Sequence, residues 1–264
     1  MSYWHKQLPD KALYPQLLWD KPENKLHAGK LLIIGGNAHS FSIPALAYTI
    51  SNNTGIGVAK VLLPDALKKA VGPVLENGEY APSTHSGSFS KLSLGDWLEF
   101  GSWADGVLLP GDFGRNSETA ITLEEFLSRY YGPVTITQDA LDYFTSNPLK
   151  LIERPNSYIV TSFAQLQKIG TSSKFPHVFT YDMPLNNMID CLHTFTTMYP
   201  CAIVLKHNGT FFVAYDGEVS TTQTDPAENI WRVATAATIS VWTIHNPGKI
   251  FEAITSAIFE INSK

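Results

Sequence analysis

One stretch near the start of the chain, residues 30–63, constrains the fold more than any other. Its sequence, KLLIIGGNAHSFSIPALAYTISNNTGIGVAKVLL, contains two short apolar runs at residues 31–34 and 58–63, separated by a segment typical of one helix. Gly35 and Gly36 end the first run, where small residues allow the chain to turn tightly. Two buried strands joined by a helix run in the same direction. The stretch therefore predicts the parallel sheet of an α/β protein.

The same alternation of apolar runs and helical patterns continues along the chain. It predicts further strands at residues 106–109, 134–137, 158–161 and 202–205, and an Asp-Gly pair predicts a hairpin after residue 210. Helices are predicted at residues 44–52, 65–71, 94–100, 117–131, 163–169, 227–245 and 249–261. Residues 72–91 are rich in turn-forming residues and are predicted to be a loop.

The length and charge of the chain limit its organisation and its partners. With 264 residues it is long enough for one large α/β domain, and we interpret residues 30–264 as that single domain, preceded by an N-terminal extension at residues 1–29. The extension either leads into the first strand or packs on a neighbouring subunit. The net charge is −5 with both signs interspersed, so we expect no binding to nucleic acid or to an anionic membrane surface.

Cysteine usage and the N-terminal sequence indicate a compartment. Cys191 and Cys201 are too few for a disulfide framework and have no CxxC spacing, which favours free thiols in a reducing cytoplasm. The N-terminus lacks the pattern of a signal peptide, and no apolar run has the length of a membrane span. We therefore expect a cytoplasmic protein. The eight histidines have no HxH or HxxxH spacing, so no metal ligands are predicted.

Motifs at several strand ends together resemble those of one enzyme family. Residues 29–57 contain a Gly-Lys pair, LLIIGGN, PALA and TGIG, and residues 104–119 read ADGVLLPGDFGRNSET. In order and spacing these motifs resemble the ATP- or ADP-dependent NAD(P)H-hydrate dehydratases, which are related to small-molecule carbohydrate kinases. The resemblance spans most of residues 27–261. It implies a ribokinase-like three-layer α/β/α fold with a mostly parallel central sheet.

The resemblance also implies two groups of ligand-binding residues. The substrate side would contain Gly36, Asn37, Gly111 and Asp139. Asp139 would orient a ligand hydroxyl or a magnesium-bound water, although capping of the following helix is an alternative role. The paired glycines also have a purely conformational explanation, because a turn from strand to helix needs them.

The second group follows the strand at residues 202–205. The segment AIVLKHNGT, residues 202–210, is similar to the family's strand end that helps to cradle the nucleotide. The implied nucleotide-binding residues are Lys206, Asn208, Gly209 and Thr210. Lys206 would pair with a phosphate, although a solvated lysine is the alternative, and the Asn-Gly pair has an alternative reading as a simple turn.

The chain departs from the family pattern at the positions that carry the chemistry. Thr137 replaces the first aspartate of an Asp-Ala-Asp motif, and His207 stands where glycine is usual. The family's histidine and glutamate are absent from IVTSFAQLQKI, residues 159–169. Residues 227–231 read AENIW, where the family has Gly-Gly-Ser-Gly-Asp to form an anion hole and supply the base. No catalytic residue is therefore predicted.

We interpret the chain as an NAD(P)H-hydrate dehydratase-like protein that has lost catalysis and kept a scaffold for a small-molecule or nucleotide ligand. Two alternatives stay open. One is an active ATP- or ADP-dependent NAD(P)H-hydrate dehydratase, or a small-molecule kinase, that uses another base. The other is a purely structural or interaction module. The resemblance makes ATP or ADP, with Mg²⁺, the candidate cofactors and a homo-oligomer the expected assembly.

Overall fold

The computed structural model describes residues 2–71, 78–224 and 231–263. In these residues one sheet contains the strands β1 (Trp4–Gln7), β2 (Lys30–Ile34), β3 (Val58–Pro64), β4 (Gly78–Ala81), β5 (Gly106–Leu109), β6 (Val134–Ile136), β7 (Ser157–Thr161), β8 (Ala202–His207), β9 (Thr210–Tyr215) and β10 (Glu218–Gln223). Their order across the sheet is β1-β10-β9-β8-β7-β6-β5-β2-β3-β4. The antiparallel pairs in this part of the chain are β8–β9 and β9–β10, and the other neighbours are parallel. The predicted mostly parallel sheet is confirmed.

Helices cover both faces of this sheet. They are α1 (Pro15–Trp19), α2 (Ser42–Thr54), α3 (Lys68–Val71), α4 (Leu94–Trp103), α5 (Ser117–Arg129), α6 (Gln138–Asp142), α7 (Leu149–Ile152), α8 (Phe163–Ser172), α9 (Leu185–Met198), α10 (Trp231–His245) and α11 (Ile250–Asn262). Leu32 and Ile34 belong to the buried cluster that contains residues of α4, α5 and α9, whereas Leu31 and Ile33 belong to the one that contains residues of α2, α10 and α11. Strand β2 thus contributes side chains to two apolar cores. The predicted three-layer arrangement is confirmed.

Strand β2 also lies where the direction of the chain across the sheet changes. From β2 the chain passes through α2 to β3, and from β4 it returns through α4 to β5 on the other side of β2. Helices α2 and α4 lie on opposite faces, so the carboxyl ends of β2 and β5 form the topological switch point of the sheet. In open α/β sheets this is the usual place for a ligand.

The N-terminal residues join the edge of this sheet. Strand β1 runs parallel to β10, with Trp4 opposite Val219. The Trp4 indole N–H donates to Thr221 Oγ1 at 2.9 Å, and the Tyr3 hydroxyl donates to Asp190 at 2.6 Å. These residues therefore pack on their own chain.

Three regions differ from the sequence-based expectations. The expectation of a loop at residues 72–91 is wrong where β4 forms, because this short edge strand, GEYA, has no apolar run to reveal it. The predicted helix at residues 65–71 begins as the 3-10 turn Asp65–Leu67 and becomes α-helical only at α3. Helix α9 was not predicted, although its buried Met188, Leu192 and Phe195 follow a helical period.

Candidate active-site cavity

The loops that follow β2 and β5 touch through their glycines. The Gly36 N–H donates to the Gly111 carbonyl oxygen at 3.3 Å, and both residues have positive φ angles, +90° and +131°. A Cβ on Gly35 would lie 2.5 Å from the Gly111 oxygen, and one on Gly111 would lie 2.8 Å from Asp139 Oδ1. Glycine is therefore required at these positions by backbone conformation and by close approach.

Asn37 in the loop after β2 and Asp112 in the loop after β5 each form side-chain hydrogen bonds that connect the two segments. Asn37 Nδ2 donates to the Asp112 carbonyl oxygen at 2.7 Å. Asp112 Oδ2 accepts from the Ser40 hydroxyl at 2.7 Å and from the Ile43 N–H at 2.9 Å, in the first turn of α2. The residue before this helix, Phe41, provides no side-chain cap. Asp112 therefore caps α2 from the neighbouring loop, and it adopts a left-handed φ of 63° to do so.

The carboxylate of Asp139 is only partly satisfied. It lies in the first turn of α6, and its Oδ2 accepts from the Gly114 N–H at 3.2 Å. Its Oδ1 is buried and has no hydrogen-bond partner among the described residues. Burial raises the pKa of Asp139, and nearby Asp112 raises it further, against the lowering effect of backbone N–H groups in residues 112–114. The predicted helix-capping role is not seen, because the oxygen that accepts a bond is turned to the loop after β5.

Asp139 lines a cavity of about 340 Å³ between this loop and α6. Asp142 provides a second carboxylate, and exposed Arg115 provides a cation. The Tyr143 hydroxyl donates to the Gly114 carbonyl oxygen and accepts from the Asn116 N–H at 3.3 Å, so this wall of the cavity is tied together. The volume is within the range of small-molecule sites. The substrate-side candidates Gly36, Asn37, Gly111 and Asp139 thus all lie on or beside one group of touching loops.

Gln165 joins the cavity to the last part of the chain. Its Nε2 donates to the Gln138 carbonyl oxygen at 2.8 Å and to Asp142 Oδ1 at 2.7 Å. Its Oε1 accepts from Arg232 Nη1 at 3.0 Å, in the first turn of α10. Gln165 also forms a capping box with Ser162 at the start of α8. The Ser-x-x-Gln spacing signals the capping box in the sequence, but the contacts to Asp142 and Arg232 carry no local signal.

The nucleotide-side candidates lie three strands away from β5. Lys206 Nζ is buried without a hydrogen-bond partner in the described residues, and it lies 5.4 Å from the centre of the Phe211 ring. This ammonium therefore has a cation–π contact with the Phe211 ring and no hydrogen bond in the described residues. Asn208 and Gly209, with φ of 46° and 67°, form the turn between β8 and β9.

Two side chains near this turn have other contacts. His207 is buried, stacks on Phe163 at 4.6 Å and shares a hydrogen bond of 2.8 Å with the Tyr181 carbonyl oxygen. Its imidazole is therefore part of the packing. Thr210 lines a separate cavity of about 70 Å³ together with Thr221. The four nucleotide-side candidates thus have different surroundings in the structure.

Trp231 is the first described residue of α10, and the resemblance places the family's base at this position. Its half-buried indole packs nearly perpendicular to the Phe211 ring, with the ring centres 5.5 Å apart, so Trp231 and Lys206 pack around the same ring. Residues 227–230 of the altered AENIW segment lie outside the described residues.

In the described ranges, no group of three or more His, Cys, Asp or Glu side chains has the geometry to hold a metal ion. Mg²⁺ is commonly bound through one or two carboxylates together with substrate phosphates. The unpaired Oδ1 of Asp139 is compatible with that mode of binding. None of the described helices combines the length and hydropathy that a membrane crossing requires.

The sequence matches none of the protein-family profiles. It is 30% identical over 147 residues to the bifunctional NAD(P)H-hydrate repair enzyme of Methanocaldococcus jannaschii. The match covers 54% of this chain and 28% of that enzyme, so the chain corresponds to less than a third of the curated relative.

Solved structures resemble the chain over nearly its whole length. A ribokinase-like superfamily protein from Enterococcus faecalis has a TM-score of 0.72 at 14% identity, covering 100% of this chain and 87% of that one. A protein from Streptococcus mutans has a TM-score of 0.73 at 16% identity, with 96% and 89% covered. The ADP/ATP-dependent NAD(P)H-hydrate dehydratase of Bacillus subtilis, co-crystallised with ATP and Mg²⁺, has a TM-score of 0.59 at 13% identity, with 90% and 79% covered. At these identities the structures show the fold, and with the sequence match they confirm the resemblance drawn from the motifs.

Proposed function

The chain has a ribokinase-like fold and resembles the NAD(P)H-hydrate dehydratases, and from this premise we propose that it binds a nucleotide-containing small molecule without the family's ATP-dependent catalysis. The Bacillus subtilis dehydratase was co-crystallised with ATP and Mg²⁺. ATP or ADP with Mg²⁺ is therefore the first ligand to test.

The observation that carries the binding proposal is the unpaired Oδ1 of Asp139 at the 340 Å³ cavity. A buried polar atom without a partner costs about 1–3 kcal/mol. A purely structural module gains nothing from that cost, whereas a binding site regains it when a ligand hydroxyl or a bound cation meets the oxygen. The close approach of Gly36 and Gly111 keeps the loops beside this carboxylate in one arrangement.

The proposed loss of catalysis depends on the start of α10. Phosphoryl transfer needs a positioned base and donors that stabilise charge on the phosphate oxygens. The resemblance assigns the base to the position of Trp231, whose indole cannot accept a proton. Its contact with Phe211 gives this residue a packing role in place of a chemical one.

One observation favours the active alternative. Asp139 is a carboxylate with a raised pKa in a cavity that also contains Asp142, and perturbed carboxylates in clefts are candidates for acid–base chemistry. An active dehydratase would then use Asp139 as its acid or base. The two proposals predict the same ligand but opposite results for turnover.

Thermal unfolding and calorimetry with ATP, ADP, AMP, NAD(H) and NADP(H), with and without Mg²⁺, test binding. A ligand at one hundred times its dissociation constant stabilises the folded state by about 2.7 kcal/mol. We expect Asp139→Asn to weaken binding at least tenfold. The matched control is Asp96→Asn, which changes another first-turn aspartate with a raised pKa that lies outside the cavity.

The outcomes separate the three functions. Binding that depends on Asp139, without conversion of hydrated NADH or hydrolysis of ATP, supports the proposal. Turnover that Asp139→Ala abolishes would establish the active alternative. Absence of a shift with every nucleotide would instead favour the structural module.

A further inference from the structure

A second cavity lies at the opposite edge of the sheet. It has a volume of about 420 Å³ and lies by the amino-terminal ends of β6 and β7, beside the carboxyl end of α10. Pro133, Ile244 and Pro247 give it apolar walls. Its volume is again that of a small-molecule site. The resemblance and the first cavity concern the other edge, so this space is independent of the proposed function.

Tyr158, the second residue of β7, also lines this cavity. Its side chain is only 1% exposed, yet its hydroxyl has no hydrogen-bond partner in the described part of the chain. Burial raises the pKa of Tyr158, with a further contribution from Tyr215 and an opposing one from the Arg154 guanidinium, so the hydroxyl stays protonated at neutral pH. Buried tyrosine hydroxyls normally find a partner. This one is left for a ligand or solvent in the cavity.

Polar groups at the mouth of the cavity are acidic or neutral. Asp105 and Asn156 line it and are exposed. Asp105 Oδ2 accepts the Lys30 N–H at 2.8 Å, which fixes the carboxylate in place and leaves its other oxygen available. The nearby Arg154 guanidinium is buried, and its donors are taken up by carbonyl oxygens, including that of Asn156, and by the Ser157 hydroxyl.

Further negative charge lies close by. Tyr215, which affects Tyr158, lines a neighbouring cavity of about 480 Å³. That cavity also contains Asp216, Glu218 and Glu252, and its histidine, His5, contacts Glu218 at 2.5 Å. Asp105 is the charged residue that lines the Tyr158 cavity itself, so its mouth favours a cation over an anion, whereas the buried Arg154 guanidinium acts on the Tyr158 hydroxyl at the inner end.

We propose that the Tyr158 cavity binds a small organic cation, an aromatic or cyclic amine or amidine. Its apolar part packs between Ile244 and the prolines, its charged group pairs with Asp105, and the Tyr158 hydroxyl takes part in a hydrogen bond at the buried end. The Tyr158 hydroxyl at the inner end, the Asp105 carboxylate at the mouth and the apolar walls together give this cavity the mixture of groups found in small-molecule sites.

Three probes of nearly the same shape but different charge test this proposal: benzamidine, benzamide and benzoate. Binding is followed by NMR titration and located by soaking crystals of the full chain. We expect benzamidine to bind in the millimolar range, benzamide more weakly and benzoate not at all. Tyr158→Phe should weaken benzamidine binding about fivefold, the equivalent of about 1 kcal/mol. Asp105→Asn, which keeps an acceptor for Lys30, should remove the preference for the cation.

The variants also separate this site from the first cavity, which contains carboxylates of its own. Asp139→Asn should leave benzamidine binding unchanged, and Tyr158→Phe should leave nucleotide binding unchanged. Equal binding of the three probes, no binding of benzamidine, or loss of its binding in Asp139→Asn would each overturn the proposal. Tyr158→Phe removes only an unpaired hydroxyl, so we expect it to fold with equal or greater stability.

Discussion

Asp112 connects the two loops that define the candidate site, and its replacement by alanine tests that connection. Its Oδ2 accepts from the Ile43 N–H at 2.9 Å and from the Ser40 hydroxyl at 2.7 Å. The Asp112→Ala variant leaves the first turn of α2 without a cap and the two loops without this link.

The expected loss of stability follows from these contacts. Loss of a helix cap costs about 1 kcal/mol, and loss of a hydrogen bond to a charged acceptor costs about 1.5 kcal/mol. The attraction between the carboxylate and the helix N-terminus contributes about 0.5 kcal/mol more. We therefore expect Asp112→Ala to lower the free energy of unfolding by about 3 kcal/mol, and Asp112→Asn by about half of that, because an amide oxygen still accepts.

Glycine at the same position separates the side-chain contacts from the backbone. Asp112 has a φ of 63°, which alanine adopts at a cost of about 1 kcal/mol and glycine adopts freely. Asp112→Gly should therefore be less destabilising than Asp112→Ala by about 1 kcal/mol. Urea unfolding of the ligand-free proteins measures the series, with unchanged m-values. The reasoning is refuted if Asp112→Ala is within about 0.5 kcal/mol of the wild type, or if Asp112→Asn is as unstable as Asp112→Ala.

Three further substitutions test other parts of the structure. Arg154→Met should lower the free energy of unfolding by about 3 kcal/mol, because it removes the donors that satisfy the carbonyl oxygens of Tyr130 and Gly132; urea unfolding that shows a change below about 1 kcal/mol would contradict this. Burial raises the pKa of Asp139 in the folded state. The stability that this group contributes is therefore fully present below its unfolded pKa of about 4 and is lost as pH rises through the folded pKa. Asp139→Asn should therefore gain stability over the wild type as pH rises from about 4 to neutrality, whereas parallel unfolding midpoints across pH would contradict the shift. Gln165→Leu should lower the unfolding free energy by about 2 kcal/mol and weaken nucleotide binding, as followed by thermal unfolding with and without ADP; a loss of stability without any effect on binding would limit this residue to a capping role.

The parallel sheet was predictable because buried strands leave continuous apolar runs. Residues 31–34, 58–63 and 106–109 have this pattern, and the structure places strands over all three. Strands β1 and β4 were not predicted, because edge strands are short and half-exposed and therefore contain both polar and apolar residues. The sequence pattern therefore reports burial on both faces more reliably than it reports strand pairing.

The candidate site was predictable only in outline. Gly36 and Gly111 follow neighbouring strands, and carboxyl ends of parallel strands meet at one edge of the sheet. The cap that Asp112 gives to α2 spans 69 residues of sequence, and the bond from Arg232 to Gln165 spans 67. Contacts of this kind depend on the assembled loops and leave no local pattern.

Our proposal is that the chain binds a nucleotide ligand without carrying out the reaction of the NAD(P)H-hydrate dehydratases that it resembles. It is tested most directly by incubating the purified protein with hydrated NADH, ATP or ADP and Mg²⁺ and following the appearance of NADH. We expect no formation of NADH above the rate without protein, under conditions in which the same nucleotide raises the unfolding temperature. Sustained formation of NADH that disappears in Asp139→Ala would contradict it.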